Sequence, residues 1–147
     1  MTPRAKMSLL QKMPIVVPAL GAHSATVIML HGLGDSGQGW QSLAQRMNLP
    51  HAKFIFPSAP SRPVTINRGA SMPAWFDARG VTSGAAEDEE GILQTRDFVH
   101  SMVAAEVNAG IPSSRILIGG FSQGAPMVWP TFTSFCTAER FIYDYLN

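Results

Sequence analysis

The segment Arg115–Gly124, RILIGGFSQG, runs from an aliphatic stretch straight into G-x-S-x-G with no polar break between them. A short apolar run of this kind reads as a strand buried on both faces, which requires other strands beside it and cover above and below. Glycines at 120 and 124 let the backbone on either side of Ser122 approach more closely than a Cβ would allow. The serine is therefore expected at a strained corner, beyond the carboxyl edge of a sheet and at the start of a helix near Gln123.

A second run, Ala25–Leu30 or ATVIML, has the same character and is followed by the tight loop HGLGDSGQGW. Asp35 or Ser36 is placed to cap a helix whose stripe is Trp40, Leu43, Ala44 and Met47, at i, i+3, i+4 and i+7. Lys53–Phe56 reads as another strand, and PSAPSRPVTINRGASMPAWFDARG as a long loop of functional length. From Ala85 the acids at 87 to 90 lead into a helix carrying Ile92, Val99, Met102, Val103 and Val107, closed by Asn108 and Gly110 with Pro112 beyond. Strands alternating with helices indicate a mostly parallel sheet with right-handed crossovers.

The chain has 147 residues, 46% of them hydrophobic, 14% charged, with net charge +1. That is enough for one domain with a sizeable core. Scattered lysines and arginines give no reason to expect a nucleic acid or an anionic membrane surface. Cys136 is the single cysteine, so no internal disulfide, no zinc and no other metal or cofactor is expected, and a reducing cytoplasm is the default compartment. Lys12, Pro14 and Pro18 interrupt any signal-like apolar run, and no stretch has the length of a membrane span.

G-x-S-x-G directly after a strand is the context in which that motif presents a nucleophile. Glycines 32 and 34 in HGLGD let the Leu33 amide face the same spot, where a second oxyanion donor is needed. Each motif also has a plainer reading. G-x-S-x-G is a common chance match, and Gly-rich strand-to-helix loops bind phosphates, although neither GK[ST] nor a complete dinucleotide fingerprint is present.

VIMLHGLGDSGQGW, PSAPSRPVTINRGASMPAWFD, EDEEGI and VNAGIPSSRILIGGFSQG, in this order, resemble the acyl-protein thioesterases and lysophospholipase-like carboxylesterases of the α/β-hydrolase superfamily. The resemblance runs over about residues 15–124 and implies an incomplete α/β-hydrolase fold: a mostly parallel sheet with flanking helices, ending just after the nucleophile elbow. It implies Ser122 as nucleophile, the Leu33 and Gln123 amides as oxyanion hole, and Trp75 lining an acyl channel. The substrates it implies are palmitoyl thioesters on protein cysteines, lysophospholipids or small esters. Trp75 equally fits a loop anchor in the core, and His31 fits a brace of the oxyanion loop better than a base. His23, His51 and His100 read as surface residues, the acids at 87 to 90 as a solvated helix start, and Asp77 as a loop cap.

In this fold the acid and histidine partners of the serine follow it in the chain. No histidine follows His100, and Asp144 is the only aspartate beyond Ser122. Residues 125–147 are read as a divergent, aromatic-rich tail in which Pro130 cuts a helix short, with a tail helix over 137–146 as the alternative. A truncated chain with little activity is the expectation. Beside it stand an active enzyme with an unusual base, an acyl-binding chain without turnover, and a non-functional fragment. The apolar segment 115–121, with no later strand beside it, is expected to promote self-association.

Overall fold

The computed structural model describes residues 12–80, 82 and 84–128. Its centre is a four-stranded sheet in the order β1-β3-β2-β6, formed by β1 (Ile15–Val17), β2 (Ala25–Leu30), β3 (Ala52–Phe56) and β6 (Ile116–Gly120). β2 runs parallel to both β3 and β6, while β1 lies antiparallel on the outer edge of β3. The alternation of β-branched runs with helical patterns led to the parallel core. Val16, 48% exposed, marks β1 as an edge element too short to announce itself in the sequence.

The two faces of the sheet are covered separately. α3 (Glu89–Asn108) lies on one face, where Val99, Met102 and Val103 pack with Ile28, Leu30, Ile55 and Trp75. On the other face α1 (Gly37–Trp40) and α2 (Ser42–Met47) bring Trp40, Leu43 and Ala44 against Val27, Phe54 and Phe56. The single helix expected there is divided at Gln41, and Met47 is 40% exposed, so the stripe stops short of it. Ser36 occupies the N-cap position of α1 without a side-chain cap bond; the Asp35 carboxylate accepts the Ser36 N–H instead.

The long loop contains regular structure that composition concealed. β4 (Ser61–Val64) and β5 (Ala70–Pro73) form an antiparallel hairpin, turned by Arg68 at φ 57° and Gly69 at φ 77°. Pro63 and Pro73 disguise both strands, yet proline is tolerated in an isolated pair with open edges. Asp88 ties this hairpin to α3. Its carboxylate accepts the Gly91 and Asp77 N–H groups and pairs with Arg62 and Arg79. It is thus a half-buried tether, and the solvated helix start is carried by its exposed neighbours Glu87, Glu89 and Glu90. Asp77 caps the loop as expected, accepting the Thr65 N–H and hydroxyl, and these bonds hold its carboxyl below the usual range.

At the amino ends of the strands, Glu106 is 5% exposed. One carboxylate oxygen takes the Thr26 hydroxyl at 2.7 Å and the other takes Lys53 Nζ. His23 Nε2 reaches the Thr26 hydroxyl from outside at 3.0 Å. His23 and His51 are exposed, and His100 is half-buried. Among the described residues no strand pairs with the outer edge of β6, where Leu117 is 43% and Phe121 54% exposed. Of the 125–147 tail, residues 125–128 form tight turns that bury Met127 in the core. Pro130 and the alternative tail helix lie outside the described residues. No helix among the described residues is long and apolar enough to cross a membrane.

Removing the Glu106 carboxylate strands the Thr26 hydroxyl and Lys53 at the sheet. Glu106→Ala is expected to lower the unfolding free energy by about 2–4 kcal/mol in urea titration, with Glu106→Gln costing less because it keeps an acceptor for Thr26. Equal stability of all three proteins would refute this account.

Candidate active site

The parallel register pairs Leu30 with Gly120, so the loops leaving β2 and β6 start side by side. The Phe121 N–H extends the ladder by donating to Leu30 O at 3.0 Å. β3 lies on one side of β2 and β6 on the other, so the two loops open at the point where strand order changes direction. Ligands of open α/β sheets bind in such crevices.

After Gly120 the chain turns abruptly. Ser122 has φ 49°, in the left-handed region, and begins a 3-10 turn over Ser122–Gly124. A non-glycine residue held there stores about 1–3 kcal/mol, retained because the neighbours leave no alternative. A Cβ at Gly120 would penetrate the Gly124 carbonyl, and a Cβ at Gly124 would stand 2.5 Å from Leu30 O and 2.8 Å from His31 O. The two glycines of the motif are thus required by close approach, one within the turn and one against the end of β2. Ser122 itself is exposed.

The second loop is pinned residue by residue. His31, 1% exposed, accepts the Ala59 N–H at Nε2, 2.9 Å away, so its proton is on Nδ1, which donates to Gly32 O at 2.6 Å. Burial pushes the imidazole below its ordinary pKa of 6.5, against weaker upward pulls from the Gly32 hydrogen bond and the Asp35 charge. Gly32 presses on the elbow, for a Cβ there would lie 3.2 Å from the Phe121 ring and 3.3 Å from Ser122 Cβ. Asp35 N–H closes a turn onto Gly32 O, with Gly34 at φ 80° as a type II turn demands at its third position. The Gly34 N–H donates to Pro73 O on β5 at 2.9 Å. Among the described residues, the Leu33 and Gln123 N–H groups have no protein acceptor.

Trp75 stands beneath both loops with an exposure of 0%. Its indole N–H donates to His31 O at 2.7 Å, its backbone N–H donates to Gln123 Oε1, and its carbonyl accepts the Thr95 hydroxyl. Its ring lies in the hydrophobic core with Ile28, Leu30 and Val99. The Gln123 side chain also donates to Phe76 O at 2.8 Å, tying the elbow to the 75–76 segment. That tether, the Ala59 contact and Thr95 carry no sequence signal, because each depends on backbone groups brought close by the fold. Both His31 nitrogens are engaged within the protein, so its ring braces the loop.

A serine corner flanked by close-approach glycines, set beside a glycine loop from the neighbouring parallel strand, is the nucleophile-elbow arrangement of α/β-hydrolases, here with about half of that fold. The chain belongs to the phospholipase/carboxylesterase family, whose model matches residues 11–137. Acyl-protein thioesterase 1 of Schizosaccharomyces pombe is 56% identical over 111 residues, 75% of this chain and 49% of the relative. Acyl-protein thioesterase 1 of Yarrowia lipolytica is 51% identical over 113 residues, covering 74% of this chain and 50% of the relative. The crystal structure of Zea mays acyl-protein thioesterase 2 superposes with a TM-score of 0.71 at 36% identity, over 80% of this chain and 49% of that one. The chain spans about half the length of these relatives.

Two measurements check the geometry. Ser122→Gly and Ser122→Ala both lose the hydroxyl but only the first relieves the left-handed strain, so the glycine variant should be the more stable by about 1 kcal/mol in urea. Because His31 has a folded pKa below its ordinary value, the stability it contributes is full above pH 6.5 and is lost as pH falls through that value toward the folded pKa. Melting temperature should drop between pH 7 and pH 5, with a shallower drop in His31→Asn; identical pH profiles would exclude the neutral, bonded imidazole.

Proposed function

We propose that this chain carries the nucleophile and oxyanion side of a serine acyl hydrolase acting on thioesters or carboxylic esters. The observation that carries the reading is the Leu30–Gly120 register, which brings the strained Ser122 against Gly32. In it the Ser122 hydroxyl attacks the acyl carbonyl, and the Leu33 and Gln123 amides, free of protein acceptors, take the developing oxyanion. Trp75 contributes to the acyl channel from below, as the buried support of the loops that border it. The candidate substrates are S-acylated protein cysteines, lysophospholipids or small esters. Relatives named acyl-protein thioesterase support the first of these, and the single cysteine fits a reducing cytoplasm.

Within this reading the chain by itself is slow. His31 has no free nitrogen with which to take the serine proton, and no histidine follows His100. A serine without its base keeps only the acceleration from oxyanion donors and binding, roughly 10³–10⁴ over water. An acyl-binding chain without turnover is the second reading, favoured by the same occupied imidazole. The outer edge of β6 serves in either case as a surface for self-association, since an unpaired strand edge is a template for another chain.

A fluorophosphonate probe with mass-spectrometric mapping separates the readings. Slow labelling at Ser122, absent in Ser122→Ala, is expected, with only trace hydrolysis of p-nitrophenyl esters and acyl thioesters. No labelling at all would favour acyl binding alone, and rapid turnover lost in both Ser122→Ala and His31→Ala would make His31 the base after all. Sedimentation should show association that rises with concentration and weakens in Leu117→Lys; a monomer at every concentration would remove the edge from the account.

A further inference from the structure

The loop His31–Asp35 is held from below by Trp75 and from the side by Pro73, yet neither contact explains Asp35, Gly39 or Trp40 of HGLGDSGQGW. These three residues form a connected unit. The Asp35 carboxylate accepts the Ser36 N–H through Oδ1 at 2.7 Å and the Trp40 indole N–H through Oδ2 at 3.0 Å. Gly39 leaves room for it, because a Cβ there would lie 2.5 Å from Oδ1. The Trp40 ring in turn packs on Phe121, with centroids 5.4 Å apart and planes tilted by 44°. The Phe121 ring is the surface that Gly32 meets. The chain of contacts thus leaves the loop at Asp35 and returns to it at Gly32, passing through the residue next to Ser122.

We infer that Asp35, Trp40 and Phe121 are positioning residues: they clamp the turn around Leu33 to the serine elbow and so fix the Leu33 N–H relative to Ser122. The inference rests on the oxyanion role proposed for Leu33 and adds what sets its aim. Every other residue of the turn has its polar backbone or side-chain groups tied, through Gly32 O, Gly34 N–H, Asp35 N–H and the Asp35 carboxylate. Leu33 itself makes no hydrogen bond among the described residues. An oxyanion donor must be in place before charge develops, and displacement by about 1 Å costs up to 10²-fold in rate. The exposed position of Asp35 beside this site argues for the same role: its negative charge disfavours an oxyanion, so its value to the site is mechanical.

The test isolates the oxyanion from activation of the serine by a base. In the full chain with Ser122→Cys and Cys136→Ser, at mildly alkaline pH, the thiolate attacks the carbonyl of p-nitrophenyl acetate. The carbonyl electron pair moves to oxygen, and collapse of the adduct expels p-nitrophenolate and leaves a thioester. Iodoacetamide alkylates the same thiolate with loss of iodide and creates no oxyanion. Adding Trp40→Ala or Phe121→Leu is expected to slow acylation by about tenfold or more while alkylation stays within about twofold. Trp40→Phe, which keeps the ring against Phe121 but loses the Asp35 bond, should fall between. Unchanged acylation, or equal loss of both reactions, overturns the clamp. If the parent shows no acylation advantage over N-acetylcysteine, the oxyanion reading fails instead. Amide hydrogen exchange then judges the clamp: Trp40→Ala should speed exchange about tenfold at residues 33–35 and leave residues 27–30 unchanged, and equal exchange in the loop would sink it.

Discussion

The central position of β2 is the constraint from which the site follows. Its neighbours β3 and β6 take both hydrogen-bonding edges, and Val27, Ile28 and Leu30 are buried between the two layers. Burial of a side chain of this size contributes about 1.5–3 kcal/mol, and a slip of one residue would exchange the faces they occupy. The register with β6 is therefore firmly set, and with it the meeting of Leu30 and Gly120. Gly124 then packs under the carbonyls at the end of β2, so the serine corner is built against the strand beside it as much as by its own sequence.

The two ends of the sheet carry different kinds of polar contact. At the amino ends of β2 and β3 a buried carboxylate gathers Thr26 and Lys53 onto α3, tying a helix to two strands at once. At the carboxyl ends the polar contacts are mostly to backbone groups: the His31 ring, the Trp75 indole and the Gln123 side chain each bind a carbonyl or an amide. Such contacts fix the path of the main chain. The strained φ of Ser122 survives because that path is over-determined.

The legible parts of the sequence were those in which one residue type answers one local demand. G-x-S-x-G announced close approach on both sides of Ser122, and the structure has both contacts. ATVIML announced a strand covered on two faces, and β2 is one; RILIGGF announced the same, but β6 has no fully buried residue and Leu117 is 43% exposed. The hairpin was hidden because Pro63 and Pro73 argue against strands, although Val64 within it is fully buried. The division of α1 from α2 escaped because apolar spacing reports a buried face and not the continuity of a helix. Asp88 sat in a run of acids that looked uniform, and only the fold distinguishes the one facing Arg62 from the three facing water. His31 was read as a brace, but its partner Ala59 is a backbone amide 28 positions away, which no motif encodes.

The pairing of β2 with β6 also has a kinetic side. Leu30 and Gly120 lie roughly 90 residues apart along the chain, and closing a loop of that length costs about 4 kcal/mol of chain entropy before any contact repays it. The β2–β3 pair, by contrast, joins segments separated by one loop and two short helices. Local parts form early and distant pairings late in chains of this kind. The His31–Asp35 loop is thus attached to an element that organises early, whereas Ser122 arrives with β6, whose pairing is the longest-range one among the described strands. The strained serine corner would then exist only on molecules that have completed this long-range step, so partly folded copies would carry the residue without the geometry around it.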